Sequence, residues 1–248
     1  AGDTSLARQR KRKGDPVSGW LNLFKPVEMT STQAVAILKR LYNAEKVGHG
    51  GTLDPLADGI LPIAFGEATK TVQWAMDSEK EYVFTIRWGV STASQDAEGE
   101  VTATSDARPA RDAIEAVLAN YLGVIEQVPP KFSAIKVDGE VMVHSAKVIG
   151  MPDADHTVVH VTSGKGFYVR AMARDLAFDL ECEGHISQLR RTRVGAFAAA
   201  DAISVEALQG MTEKADLLAA LKPLQSVLIG IPDLAISAGD AANLRQGR

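Results

Sequence analysis

Between Lys46 and Leu61 the chain reads KVGHGGTLDPLADGIL, and no other stretch is better built to present one reactive group. Glycines 48, 50 and 51 admit backbone geometry that other residues resist. Asp54 follows them, and Pro55 fixes its own φ while pushing the residue before it towards extended geometry. Asp54 therefore belongs to a shaped loop, ahead of an apolar strand expected over Ile60 to Phe65. A carboxylate held in this way can act as a nucleophile. Composition leaves a second reading open, an ordinary turn in which Asp54 bonds its own backbone.

Three residues downstream have the chemistry to serve such a carboxylate. Arg170 follows the flexible turn Gly164-Lys165-Gly166 and stands at the start of an expected helix. Paired with Asp54 it would keep the carboxylate ionised, and so nucleophilic, in a partly dry cleft. By itself it would be a surface cation. Tyr82 and Tyr168 can stack on a flat base, or pack in the core as strand aromatics commonly do.

Other chemistries lack their signatures. There is no G-x-G-x-x-G after a strand, no P-loop and no G-x-S-x-G. Histidines 49, 144, 156, 160 and 185 are scattered. His156 and His160 stand four apart on an expected strand, without the acidic partner of a metalloprotease helix, so no metal site is expected. A glycosidase-like hydrolase wants two opposed carboxylates, and only Asp54 stands out.

Length and composition bound the rest. A chain of 248 residues allows one large domain, or one domain with an appendage, and 46% hydrophobic content is normal for a packed core. No run has the apolar length to span a bilayer, and the basic N-terminus has no apolar segment behind it to make a secretory signal. A single cysteine, Cys182, makes no internal disulfide and no metal cluster. The expectation is a soluble protein of a reducing compartment. The net charge of −4 does not favour nucleic acid, but contact depends on local patches. Arg8, Arg10, Lys11, Arg12 and Lys13 form one basic run, read as a disordered tail over residues 1–16. Arg190, Arg191 and Arg193 form another, either a solvated surface or a patch for RNA.

Periodicity predicts the elements that must position these groups. Gly19 to Phe24 reads as a short strand ended by Lys25-Pro26, and Thr32 to Tyr42 as a helix with hydroxyl caps at Thr30 to Thr32. Glu67 to Met76 reads as a helix. Glu81 to Val90 is the clearest strand, with Tyr82, Phe84, Ile86 and Trp88 on one face. A strand at Glu100 to Thr104 follows, then a helix opened by Pro109 and capped by Gly123. Ser133 to Val137, Val141 to Ile149 and Thr157 to Thr162 read as strands, Arg170 to Leu180 as a helix and His185 to Val194 as a strand. Short helices fit Val205 to Leu208 and Ala215 to Leu221, and Pro223, Gly230 and Pro232 mark a linker. The mixture lacks strict βαβ alternation. The fold class expected is α+β, with a largely antiparallel mixed sheet flanked by helices.

Taken in order, these motifs resemble one family, the TruB family of tRNA pseudouridine synthases. The matching residues are Gly19 to Leu23 with Lys25-Pro26, Thr30-Ser31, Lys46 to His49, Gly51 to Ala57, Ala68 to Lys70, and Lys80 with Tyr82. Further along they are Gln127 through Pro129-Pro130 to Ser133-Ala134 and Lys136, then Gly164 to Gly166 with Tyr168 to Arg170, and Leu189 to Arg191. The resemblance runs from about residue 19 to 197, and GTLDPLA at its centre is highly specific. It implies the pseudouridine synthase fold over residues 17–228. It also implies that residues 229–248 begin a PUA-like RNA-binding appendage that stops short.

The resemblance implies isomerisation of uridine to pseudouridine at position 55, in the T loop of tRNA, without metal or organic cofactor. Asp54 would be the nucleophile, attacking either the uracil ring or the sugar C1′. Tyr82 would stack on the base, Tyr168 and Leu189 would line the pocket, Arg170 would pair with Asp54, and His49 would contact nucleotides around the target. Lys25 and Lys70 would serve structure or phosphate. The partner would be the T-arm stem-loop of tRNA, the protein a cytoplasmic monomer that binds no membrane. An alternative is a tRNA-binding folding helper, which would keep the Arg190 to Arg193 patch and not need Asp54.

Several residues depart from the family's pattern. Glu28 stands where glycine is usual, Phe167 where threonine is, and Ala177 where glycine is. After Gly139-Glu140 the family continues with a tyrosine-containing, basic segment of an insertion that grips the RNA stem-loop, whereas here Val141 follows at once. The expectation is that this segment is lost to disorder and not deleted.

Overall fold

The computed structural model describes residues 14–130, 139–232 and 235–246. The basic run at Arg8 to Lys13, and the expected strand at Ser133 to Val137, lie outside the described residues.

Strand β1 (Gly19–Lys25) leads to helix α1 (Ser31–Leu41), whose start is fixed by a capping box: Thr30 Oγ1 accepts from the Gln33 amide, and Gln33 Oε1 accepts from the Thr30 amide. β2 (Val47–His49), β3 (Asp58–Phe65), a 3-10 turn at Gly66–Thr71 and α2 (Val72–Asp77) follow. Next come β4 (Lys80–Trp88), β5 (Val90–Thr92), β6 (Val101–Thr104), α3 (Arg111–Leu118), β7 (Gly123–Gln127), β8 (Gly139–Asp153) and β9 (His156–Ser163). The chain continues through α4 (Val169–Asp179), β10 (Gly184–Val194), β11 (Phe197–Ala198), β12 (Ile203–Ser204), α5 (Val205–Gln209), α6 (Lys214–Ala219) and α7 (Ala238–Arg245). Among the described residues no helix is long and apolar enough to cross a membrane.

The main sheet runs β12-β1-β3-β10-β4-β9-β8-β7. All its ladders are antiparallel except β1 with β12 and β10 with β3. The α+β reading with a largely antiparallel mixed sheet is borne out. On β4, the alternation buries Tyr82, Phe84, Ile86 and Trp88 together, in one core with Met172 and Leu176 of α4. A smaller cluster, Trp20, Ile60, Ala64, Ala75, Val194 and Phe197, closes the opposite face.

One irregularity positions the site. Along a single edge of β3, β10 pairs only with Asp58 and Gly59, while β2 pairs with Ile63 to Phe65. The two neighbours diverge, and the sheet forks at Ile60 to Pro62. The loop after β2, which carries Asp54, is set against this fork.

The structure corrects one expectation. Gly123 does not cap a helix; it opens β7 at φ +87, after a short 3-10 turn at Ala119–Tyr121. The junction at Glu140-Val141 lies inside an unbroken strand, where Glu140 pairs with Glu126 and Val141 with Ile125.

Candidate active site

The site is built from the loop outward. β2 brings the chain to Gly50, whose amide donates to the Pro62 carbonyl across the fork at 2.8 Å. Gly51 then takes φ +118, a left-handed conformation that glycine adopts without strain. Leu53 is held at both ends of its peptide by Ser31 at the start of α1. Its amide donates to Ser31 Oγ at 2.9 Å, and its carbonyl accepts from the same hydroxyl at 3.1 Å. The Asp54 carbonyl accepts from the Ala57 amide at 3.0 Å, and the Pro55 carbonyl from the Glu28 amide at 2.8 Å. Glu28 itself sits at φ +63, which explains why glycine suits this position.

The two readings of Asp54 therefore meet. Its backbone makes a turn, while its side chain leaves the turn for Arg170. Arg170 Nη2 lies 2.8 Å from Asp54 Oδ2. Arg170 is only 6% exposed, a charge taken almost wholly out of water, whereas the carboxylate is half-buried. Arg170 Nη1 donates to the Ser94 carbonyl at 3.3 Å and stands 3.6 Å from a second carboxylate, Asp96 Oδ2. Asp96 is buried and accepts from Ser94 Oγ and the Glu98 amide. A dry guanidinium between two carboxylates has one low-energy orientation, and that orientation aims Asp54.

A cavity of about 280 Å³ opens over Asp54. Tyr82 from β4, Leu189 from β10, and Tyr168 and Arg170 at the start of α4 line it with Asp54. Five of the six residues expected in the site thus converge. Tyr82 and Leu189 are both 8% exposed and give the floor an apolar, water-poor character. Burial pushes the Tyr82 phenol up from its ordinary pKa, against the pull of the neighbouring Arg191 cation. Tyr168 is placed through its backbone: its amide donates to Gln127 Oε1 at 2.9 Å, and its carbonyl accepts from Gln127 Nε2 at 3.2 Å. His49 does not line this cavity. It stands on β2, its Nδ1 buried without a hydrogen-bond partner among the described residues, and burial followed by the Arg191 charge lowers its pKa.

Two lysines serve the framework. Lys25 is fully buried and donates to the carbonyls of Pro26 and Met29, and burial brings its pKa down to about 8. Lys80 lines the cavity and donates to the carbonyls of Ala75, Met76 and Ser78 at the end of α2, with its pKa brought down to about 8, also by burial. Lys70 is exposed and paired with Glu67.

The basic run at 190–193 is not a patch. Neighbours on a strand point to opposite faces. Arg190 faces out, forked onto Asp58 at 2.8 and 2.6 Å and lying over the Phe24 ring. Arg191 faces in, and Arg193 is paired with Glu81 at 2.8 Å. Asp96 and the inward role of Arg191 escaped the sequence reading. For Arg191 a signal was present, since the strand and its period of two were both legible.

Comparison with known proteins gives the chain's relatives. Residues 39–184 match the model of the TruB family pseudouridylate synthase N-terminal domain. Residues 170–229 match that of the tRNA pseudouridylate synthase B C-terminal domain. The tRNA pseudouridine synthase B of Caulobacter vibrioides is 51% identical over 257 residues, spanning 96% of this chain and 83% of its own. That of Bradyrhizobium diazoefficiens is 47% identical over 263 residues, spanning 97% and 76%. Among solved structures, a Cbf5-Nop10-Gar1 complex superposes with a TM-score of 0.78 at 29% identity, covering 93% of this chain and 67% of the other. An H/ACA RNP bound to a substrate RNA containing 2'-deoxyuridine superposes at 0.75 and 25%, covering 98% and 74%.

Proposed function

The chain belongs to the TruB family of tRNA pseudouridine synthases, and we propose that it converts the uridine at position 55 of the tRNA T loop, with Asp54 as nucleophile. The observation that carries the proposal is the 2.8 Å pairing of Asp54 with a buried Arg170 inside a cavity walled by Tyr82, Tyr168 and Leu189.

The reaction is an isomerisation: the N1–C1′ bond breaks, a C5–C1′ bond forms, the C5 proton leaves and N1 regains one. It needs a nucleophile that is ionised, a pocket that retains free uracil, and a base delivered out of its loop. Arg170 serves the first by pairing with the carboxylate at 2.8 Å and fixing its direction, whether Asp54 attacks the ring or C1′. The buried faces of Tyr82 and Leu189 supply the second, excluding water and holding a flat ring while it turns. Tyr82 lies against the edge from which the C5 proton departs. The third falls to groups outside the cavity, among them His49 on β2, which contacts nucleotides beside the target.

The partner is the T-arm stem-loop, and the protein acts as a cytoplasmic monomer. Residues 17–228 form the catalytic domain and residues 229–248 the beginning of a PUA-like RNA-binding part. The test is release of tritium from a T-arm stem-loop labelled at C5 of its uridines. One equivalent per RNA supports the proposal. Equal release from a stem-loop with cytidine at position 55 overturns the choice of target.

A further inference from the structure

Arg191 fills the fork in the sheet. Its side chain is 3% exposed, and among the described residues no carboxylate stands within ion-pair distance of it. A cation buried without a counter-charge is costly, and several neutral acceptors must compensate. They come from one place. Nε donates to the Ile60 carbonyl at 2.8 Å, at the point where β3 has neither β2 nor β10 beside it. Nη1 donates to the Thr52 carbonyl at 3.1 Å and Nη2 to the Gly51 carbonyl at 3.0 Å. In the β4–β10 ladder Arg191 is the direct partner of Tyr82, so the two side chains leave the same face of the sheet side by side, and both line the cavity.

Both ends of the nucleophile's loop are thus tied to one planar group, which stands beside Tyr82 in the ladder. Gly51 and Thr52 lead into Leu53-Asp54, and Ile60 lies on the strand that leaves the loop. We infer that Arg191 is a positioning residue for the isomerisation: by fastening the carbonyls of Gly51, Thr52 and Ile60 to the strand position directly opposite Tyr82, it sets the separation of Asp54 from Tyr82 and makes no contact with RNA phosphate. This rests on the reading of Asp54 and Tyr82 as opposite walls of the base pocket. A lysine at the position keeps the charge, but a point ammonium lacks the fork that spans three carbonyls.

The test compares wild type, Arg191→Lys and Arg191→Ala on the C5-tritiated T-arm stem-loop. Single-turnover tritium release at saturating RNA, RNA affinity by fluorescence anisotropy, and thermal melting are measured, with and without added guanidinium ion. Arg191→Lys should melt cooperatively and bind RNA as wild type does, yet release tritium about 100-fold more slowly, the cost of a misplaced reactive group. Guanidinium should restore part of the rate to Arg191→Ala. A rate for Arg191→Lys close to wild type overturns the inference, as does a loss of affinity with the rate retained, which is the signature of a phosphate contact. Loss of the cooperative melt in both variants, with nothing restored by guanidinium, leaves Arg191 a framework residue only and also overturns it. Wild-type protein that releases no tritium sinks the underlying reading of the pocket, and this inference with it.

Discussion

Arg170 Nη2 lies 2.8 Å from Asp54 Oδ2, and its Nη1 lies 3.6 Å from Asp96 Oδ2. The partner of the proposed nucleophile is thus itself held. Replacing Asp96 with Asn keeps the shape and removes the charge that orients the arginine. The expected result is a single-turnover rate lower by about 10- to 100-fold at unchanged RNA affinity, because misorientation costs rate and not binding. An equal loss of affinity would place Asp96 in RNA binding instead.

Ser31 pins the loop from α1 through both polar groups of Leu53. Ser31→Ala strands a buried amide and a buried carbonyl, so urea denaturation should show a loss of about 1–3 kcal/mol. Activity should fall alongside it. A variant as stable as wild type would mean that the loop finds other partners.

The salt dependence of RNA binding should follow exposure, not the count of basic residues. Lys165 is 68% exposed and stands between Gly164 and Gly166, which line the cavity. Lys165→Ala should lower the slope of log affinity against log salt by about 1, the effect of one lost phosphate contact. An unchanged slope removes Lys165 from the RNA face.

Burial holds the Lys80 pKa at about 8, against 10.5 ordinarily. Below pH 8 both folded and unfolded chains carry the proton, and the folded protein bears the full cost of the buried charge. Between 8 and 10.5 only the unfolded chain is protonated, so stability contributed by this group rises with pH. Lys80→Met removes that titration, while Lys25, which shares the direction of shift, stays in both proteins. The stability of wild type relative to Lys80→Met should therefore increase between pH 7.5 and 9.5 in urea denaturation. A constant difference contradicts the lowered pKa.

Much of this was legible in the residues because much of it is local. Alternation named the buried face of β4, the hydroxyls at Thr30 and Ser31 marked the start of α1, and the glycines and Pro55 marked the loop. What failed depended on long-range pairing. Gly123 looked like a helix cap because nothing nearby showed that the next residues would pair with β8. Asp96 gave no sign of meeting Arg170, since the two lie on separate elements far apart in the chain. Arg190 and Arg191 were read as one charge cluster although their strand sends them to opposite faces, one to Asp58 and solvent, the other into the fork.

The central claim is that Asp54 is the nucleophile, and one comparison tests it most directly. Wild type and Asp54→Asn are incubated with an unmodified T-arm stem-loop, and pseudouridine is mapped by carbodiimide-dependent primer extension beside a binding measurement. Wild type should modify one uridine, while Asp54→Asn binds the RNA and makes no product. Equal product from the two proteins would contradict the account.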